Sequence, residues 1–533
     1  MGAPRSGSAD GAGSRPTVRR SAPWFVAALL EPSVYPHPVD RVELVETHIS
    51  WVFLAGDRVY KVKKPVDLGF LDFRTLRRRR HFCREEVRLN RRLAPDTYLG
   101  VVALKGSRPR IQIGGRGRTV EVAVEMRRLP AERMLDRLVT TGRAGAAQLR
   151  TVAAVVARFH AEAETGGRID QMGSVETIRR NWDECFTQTA DTPADVWPPE
   201  HRRSLRQYVD DFLASQASRL QGRIADGRIR DGHGDLQAQH VCCVDPVQIF
   251  DCIEFNERFR FGDTAGEVAF LAMDLQRLGA PELAVEFINA YVEETGDYGM
   301  VPLLDFYRAY RALVRAKVLA FQLSERPDLT EAARALFALA GRYAEPRDPA
   351  RLLITSGVMG AGKSTVARAV AARLGALVIR TDAVRKRLGG VGIHERAPAG
   401  FGKGLYTSGM SERTYTEALR LAAEMLGAGW TVVLDGSFSQ ADRREDARRI
   451  AHQRGLRHAT LWCDAPDAVI ADRLARRVAE PREISDGHSR LLPEHRARYE
   501  PPDGEPNVVR VDTEGEPAID RVAETLRPIL APR

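Results

Sequence analysis

The chain has 533 residues and is poor in lysine: eight (Lys61, Lys63, Lys64, Lys105, Lys317, Lys363, Lys386 and Lys403) stand against 72 arginines among its 80 basic residues. Where lysine is this scarce, the positions that keep it invite inspection, and three of the eight fall within 61–64. Cysteine is equally thin. The six (83, 185, 242, 243, 252, 463) form no C-x-x-C pair, which argues against a zinc or dithiol motif of that spacing. With no secretory signal legible, they read as reduced, mostly buried thiols. No apolar run approaches the roughly 20 residues of a spanning helix, and Trp24–Leu30 is too short, so a soluble, cytoplasmic protein without a membrane partner is expected. A net charge of +9 is modest at this length and does not announce a nucleic-acid protein. Most of the excess lies in Arg74–Arg92, nine arginines against Glu85 and Glu86. That stretch reads as the solvated face of a helix, with a polyanion site as the alternative. Only Phe73 and Phe82 offer stacking surfaces beside it, whereas single-strand binders interleave aromatics with their charges.

What is present is enough for two to four domains. With 44% hydrophobic residues, the chain can bury full-sized cores. Residues 1–22, rich in Gly, Ser, Ala and Arg, read as a disordered tail. The organising stretch is Arg351–Gly375. Leu352, Leu353 and Ile354 make an apolar strand; Gly357, Gly362, Lys363 and Ser364 then fit G-x-x-x-x-G-K-[ST]; and Val366, Val370 and Leu374 recur at helical spacing. In such a loop, glycines let successive N–H groups face phosphate oxygens at the positive end of the following helix. Gly357, Gly360, Ala361, Gly362, Lys363, Ser364 and Thr365 are therefore the expected nucleotide-binding residues, with Lys363 on the β- and γ-phosphates and the Ser364 hydroxyl on magnesium. Downstream, Ala376–Asp382, Thr431–Gly436, His458–Cys463 and Asn507–Val511 read as further strands with helices between them, two ending in carboxylates, Asp382 and Asp435. Alternation of this kind implies a parallel sheet with ligands at the strands' carboxyl ends, which makes Asp435 a candidate metal ligand. Gly389–Gly404 is a glycine-rich insertion.

The first half is built differently. Glu43–Lys64 reads as two strands around a turn, with Lys61 and Lys63 on one face because strand side chains alternate. A helix over Leu76–Leu93 carries Glu85 and Glu86. Strands follow over 99–128, then helices, with His160 ending one apolar stripe as a structural residue. Next come His233-Gly234-Asp235, a hairpin around Asp245-Pro246, and Asp251 at its end, with Gly262-Asp263 beyond. This brings two carboxylates towards one point, one suited to accept a hydroxyl proton and one to hold magnesium. Helices from Leu303 to Tyr343 close the half, and 344–350 is a proline-bearing linker.

His233-Gly234-Asp235, Asp251 and Gly262-Asp263 resemble the signature of the aminoglycoside phosphotransferase-like superfamily, relatives of choline and fructosamine kinases with a protein-kinase-like fold. The resemblance spans about 40–340. Val59–Pro65 and Phe250–Asn256 are similar to a bacterial subfamily in which this domain is fused to a P-loop kinase. It implies Asp235 as base, Asp251 as magnesium ligand, Lys61 or Lys63 as the phosphate lysine, and Glu86 as its partner. The family pattern runs H-G-D-x-x-x-x-N, but position 240 is His, so His240 stands where a magnesium-binding amide is expected. Thr381–Arg385 resembles the D-x-x-R element of polynucleotide-kinase-like and zeta-toxin-like kinases, as do Leu434–Phe438, Asp464–Pro466 and Ser485-Asp486. That resemblance implies that Asp382 activates the attacking hydroxyl and Arg385 holds substrate. Arg473, Arg476 and Arg477 fit a lid meeting the developing phosphoryl charge, or a solvated arginine face.

The expected architecture is an α+β protein-kinase-like domain (23–343) followed by an α/β P-loop NTPase domain (351–533) with a parallel five-stranded sheet. The expected activity is transfer of phosphate from ATP, with Mg2+, to a hydroxyl of a small molecule, sugar, antibiotic or nucleotide end. A nucleic-acid 5′ end is the less favoured acceptor. The alternative makes the first domain a catalytically weak, ligand-binding regulator of the P-loop kinase.

Overall fold

The structure, a computed structural model, describes residues 23–69, 71–396, 404–477, 484–485 and 491–531. The tail 1–22, Lys403, Asp486 and the centre of the glycine-rich insertion lie outside them, as does the side chain of Arg477. The chain forms two compact units that do not follow its linear order: one holds the residues up to 133 with 244–260, the other 134–243 with 261 onward. Among the described residues no helix is long and apolar enough to cross a membrane.

The first unit is a six-stranded antiparallel sheet of β1 (Val42–Glu46), β2 (Ser50–Ala55), β3 (Arg58–Lys63), β4 (Tyr98–Ser107), β5 (Arg110–Ile113) and β6 (Thr119–Arg127), in the order β1-β2-β3-β6-β4-β5. The two strands expected over 43–64 are three. The Thr47 side chain accepts from Ser50 N (3.0 Å) while Thr47 N donates to Ser50 O (2.9 Å), closing a turn inside what reads as continuous alternation. Helix α1 (Leu76–Asn90) begins at Thr75, whose hydroxyl accepts from Arg78 N. Arg79, Cys83, Glu86 and Asn90, at helical spacing, form its buried face, and Cys83 and Val87 share a core with β4 and β6. Of the nine arginines expected to be solvated, Arg79 is buried instead. Its guanidinium holds Glu121 (2.6 and 2.9 Å) and the Phe73 carbonyl.

The second unit holds, after a short helix over Leu135–Thr140, α2 (Ala146–Glu162), α3 (Val175–Gln188) and α4 (Pro199–Ala225). Short strands β7 (Ile229–Asp231) and β8 (Phe261–Asp263) pair antiparallel, and α5 (Thr264–Arg277), α6 (Pro281–Thr295), α7 (Leu304–Ala320) and α8 (Thr330–Ala344) follow. α5 is apolar on nearly every face, which is why it is buried almost throughout.

After α8 the chain enters β9 (Arg351–Ser356). The elements then alternate: α9 (Lys363–Leu374), β10 (Leu377–Arg380), α10 (Thr381–Leu388), α11 (Ser408–Gly427), β11 (Val432–Asp435), α12 (Ala441–Gln453), β12 (Arg457–Asp464), α13 (Asp467–Arg477), β13 (Val508–Asp512) and α14 (Ile519–Leu530). All five strands are parallel, in the order β10-β11-β9-β12-β13. The near-continuous apolar runs of β9, β10 and β11 reflect burial on both faces, as crossover helices require, whereas the edge strand β13 is buried only at alternate residues. Asp382 is not a strand end. β10 stops at Arg380 because the Thr381 hydroxyl donates to Asp435 O (3.1 Å) and turns the chain into α10, leaving Asp382 in that helix's first turn.

Candidate active site

The loop between β9 and α9 has the shape its glycines dictate. Gly357 sits at φ 149° with Cys463 O only 2.4 Å from where a Cβ would stand, and Gly360 and Gly362 adopt φ 78° and 73°. These are backbone states that favour glycine. Gly357 N is anchored on Ser437 O (3.2 Å) and Ala361 N on Val358 O (3.2 Å), while the N–H groups of Gly360 and Gly362 meet no acceptor among the described residues. Donors held open at a helix N-terminus form a cradle for anionic oxygens. Lys363 Nζ rests on Val358 O (2.7 Å) within the same loop; Ser364 is half-buried in the first turn of α9, and Thr365 is exposed.

Thr513, at the end of β13, had no signal in the sequence. Its buried hydroxyl lies 3.1 Å from Ala361 O and 2.9 Å from Asp464 O, tying the loop to the sheet. Arg473 of α13 donates to the Thr513 carbonyl, and a Cβ on Gly362 would lie 3.4 Å from its Nη1, so this guanidinium borders the loop. Arg476 instead pairs with Asp472 on the surface. Helix Leu492–Ala497 also belongs here. Burial, with the charge of Lys363, pushes His495 down to about 4, and Tyr499 just beyond shares a hydrogen bond with Ser356 Oγ (3.1 Å).

The two carboxylates of this half differ. Asp382 is half-buried with no polar partner among the described residues. Asp435 is buried, its Oδ2 3.2 Å from Arg380 Nε and its Oδ1 3.4 Å from Thr355 Oγ1. Arg385, one turn after Asp382, is buried and reaches Leu405 O (3.1 Å) and Ser411 Oγ (3.2 Å), with its guanidinium over Tyr406. It therefore fastens the segment that leads into α11. Among the described residues no group of three or more His, Cys, Asp or Glu side chains is placed to hold a metal alone. Magnesium sites built from one or two oxygen ligands plus substrate phosphates need none.

In the first unit, Lys61 Nζ lies 2.5 Å from Asp251 Oδ1 and 2.9 Å from Glu86 Oε1, while Lys63 Nζ lies 2.6 Å from Glu86 Oε2 and also bonds Glu254. Glu86 thus serves both lysines, one oxygen each. Of the two, Lys61 is the one within reach of solvent; Lys63 is sealed at 1% exposure above Phe73. Burial opposes the Lys61 charge, but Asp251 and Glu86 outweigh it and hold the ammonium well above its ordinary range. Burial likewise pushes Glu86 up, yet two lysines pull it below the usual carboxylate range; Glu254, bonded to Lys63, is left raised by burial. Asp251, with 40% of its side chain exposed, is held at φ 65° with its N–H on Tyr98 Oη (3.2 Å). Such strain in a non-glycine residue persists where the surroundings over-determine it.

The His233-Gly234-Asp235 loop lies in the second unit and is organised by a residue the sequence reading passed over, Glu267 of α5. Its carboxylate accepts from His233 N (2.6 Å) and Gly234 N and meets His160 Nε2 (2.8 Å). Burial pushes Glu267 up, but His160, His233 and the loop amide overcome it and bring it to about 2. The one signal was a carboxylate within an apolar helix. Asp274 takes Ala238 N (3.0 Å) in the same way, and His160 is structural, its Nδ1 on Tyr291 Oη (2.9 Å). Asp235 is half-buried; Gln237 Nε2 donates to its Oδ1 (2.5 Å), and His240 Nδ1 lies 2.9 Å from its carbonyl oxygen and 3.5 Å from Oδ2. Asp263 caps α5 and pairs with Arg223 (2.6 Å), so it is a structural carboxylate.

An AAA domain model matches residues 352–502. The uncharacterized protein Rv2004c of Mycobacterium tuberculosis is 37% identical over 447 residues, covering 83% of this chain and 88% of its own. Among solved structures, a choline kinase from Cryptosporidium parvum Iowa II is 9% identical, covering 60% of this chain and 94% of its own, with a TM-score of 0.37. A gluconokinase from Sinorhizobium meliloti 1021 is 25% identical, covering 34% and 91%, with a TM-score of 0.24. The chain belongs to the family of the mycobacterial protein Rv2004c.

Proposed function

We propose that the protein transfers the γ-phosphoryl group of ATP to a hydroxyl of a small molecule, with the P-loop domain as the catalyst. The observation that carries this reading is the cradle at Gly357–Ser364: three left-handed glycines, open N–H groups at 360 and 362, and a lysine parked on its own loop. On binding, the loop amides take the phosphate oxygens and Lys363 leaves Val358 O for the β- and γ-phosphates. Ser364 and Asp435, both oxygen donors, would hold magnesium, which neutralises phosphate charge when bound. The acceptor oxygen attacks the γ-phosphorus, the bond to the β-γ bridging oxygen breaks, and the acceptor's proton passes to Asp382. That carboxylate suits the role because no polar group among the described residues occupies it. Arg385 holds the wall over 405–411 against which an acceptor would lie, and Arg473, beside Gly362, would meet the charge that develops on the phosphoryl oxygens. Positioning and charge neutralisation supply the rate.

A second reading concerns the first domain as a ligand-binding regulator. What favours it is Asp235: one carboxylate oxygen already accepts from Gln237, and His240, whose Nδ1 is bonded to the Asp235 carbonyl, stands 3.5 Å from the other. The imidazole at position 240 suits magnesium poorly, since that ion prefers oxygen. Lys61, Glu86 and Asp251 would still hold nucleotide phosphates and their metal ion. A transfer screen from labelled ATP across sugars, aminoglycosides, nucleosides and 5′-hydroxyl oligonucleotides tests both readings. Full-length protein should label one small-molecule class, and Asp235→Asn should leave that labelling intact if the first domain only regulates. No labelling of any acceptor, with ATP also unhydrolysed, would contradict the phosphotransferase reading.

A further inference from the structure

Helix α6, which belongs to the kinase-like part of the sequence, lies along the free edge of the P-loop sheet. Asn289 is buried there: its Nδ2 donates to Ala376 O (3.0 Å) and its Oδ1 accepts from Val378 N (2.7 Å). One amide thus reproduces the pair of ladder bonds that a neighbouring strand would give β10. One helical turn further, Glu293 accepts from Arg368 of α9 (3.0 Å) and from Arg380 at the end of β10 (3.3 Å). Arg380 is buried and is the same guanidinium whose Nε faces Asp435 (3.2 Å). Two carboxylates, one from the first domain's helix and one at the carboxyl end of a P-loop strand, therefore share one arginine. The flanks are fastened too: Arg387 donates to Glu293 O, and His394 pairs with Glu294 (2.9 Å).

We propose that Glu293 is a positioning residue for the P-loop site, acting through Arg380 on Asp435 and so making nucleotide handling in the second domain depend on α6. The proposal rests on the reading of Asp435 as a carboxylate of that site. With Glu293 ionised, the charge of Arg380 is divided and Asp435 keeps enough of its own to serve a metal-bound nucleotide. Arg368 and Arg380 together outweigh the effect of burial and hold Glu293 below the ordinary carboxylate range. Without that charge, the whole guanidinium turns to Asp435 and neutralises it. In a buried setting a point charge at hydrogen-bond distance is poorly screened, so the exchange is felt at the strand end.

The test uses the full chain and binding of a fluorescent ATP analogue, read with magnesium and with chelator. In the wild type, magnesium should tighten binding; the ratio of the two dissociation constants is the observable. Glu293→Gln should lower that ratio about five- to tenfold while leaving the affinity in chelator within about twofold, and Glu293→Asp should restore most of it. In an Asp435→Asn background, Glu293→Gln should have no further effect, because coupled residues are not additive. Asn289→Ala, which loosens the same contact without touching the charges, should lower the melting temperature but not the ratio. An unchanged ratio in Glu293→Gln, an equal loss on top of Asp435→Asn, or a parallel loss in chelator would each overturn the proposal and leave the P-loop reading standing. No binding by the wild type would overturn both.

Discussion

At the scale of single residues, the P-loop half separates its carboxylates by their company. Asp382 has no polar partner among the described residues, while Asp435 is held by Arg380 and Thr355, so removing the charge of each should fail differently. Asp382→Asn is expected to cut acceptor phosphorylation at least about a hundredfold, the usual worth of a positioned base, with the affinity for ATP unchanged within about twofold. Single-turnover transfer beside equilibrium ATP binding measures both. Loss of ATP binding with a normal rate at saturation would move Asp382 to the nucleotide site. Glu267 makes a prediction about pH. Its acidity lies at about 2 in the fold, against roughly 4.3 for an ordinary glutamate. A depressed carboxylate contributes stability that is fully present above its unfolded value and is lost as pH falls towards its folded one. Glu267→Gln should therefore lower stability by about 2–4 kcal/mol near neutrality, since three donors lose a charged acceptor. The gap from wild type in urea midpoint should close between about pH 4.3 and 2. A gap that stays constant across that window would show that the loop is not held by this charge.

At the scale of elements, the P-loop was legible because its geometry leaves little choice of residue. Gly357 must be glycine, with Cys463 O 2.4 Å from the position of a Cβ. Gly357→Ala is expected to destabilise the domain by about 1–3 kcal/mol through strain and overpacking and to weaken nucleotide binding with it; thermal unfolding and ATP titration check the two together, and a variant with both unchanged would contradict the loop geometry. The parallel strands were legible for a related reason: burial on two faces turns them into apolar runs such as Leu352–Ile354. What the sequence hid was of another kind. The turn at Thr47–Ser50 interrupts an alternation that continues on both sides of it, and the end of β10 depends on a hydroxyl of Thr381 meeting a different strand. Glu267 and Thr513 hold the loops at 233 and 361, and Glu293 the end of β10 at 380, from far along the chain, and no local pattern encodes such partners. The lysine strand showed both cases: period two put Lys61 and Lys63 on one face, but only packing decided that Lys63 is sealed.

At the scale of the whole molecule, the linear boundary at 344–350 is not an energetic boundary. α6 supplies the missing bonds of the β10 edge, Arg373 pairs with Glu282 (3.0 Å), and Arg347, within the linker, holds Asp305 (2.6 Å) and stacks on Trp430. A fragment beginning at 345 should therefore expose an unpaired strand edge, which invites association. It is expected to melt below the intact chain and to sediment as a mixture; a monomer of unchanged melting temperature would show that the contact contributes no stability. The central claim is that the P-loop performs phosphoryl transfer, and the most direct measurement is labelled-phosphate transfer and ATP turnover by full-length Lys363→Ala beside wild type. Loss of the charge that leaves Val358 O for the phosphates should lower turnover at least about a hundredfold, in line with the few kcal/mol that a transition-state charge contributes, while circular dichroism stays unchanged. Turnover equal to wild type in a folded Lys363→Ala protein would contradict the account.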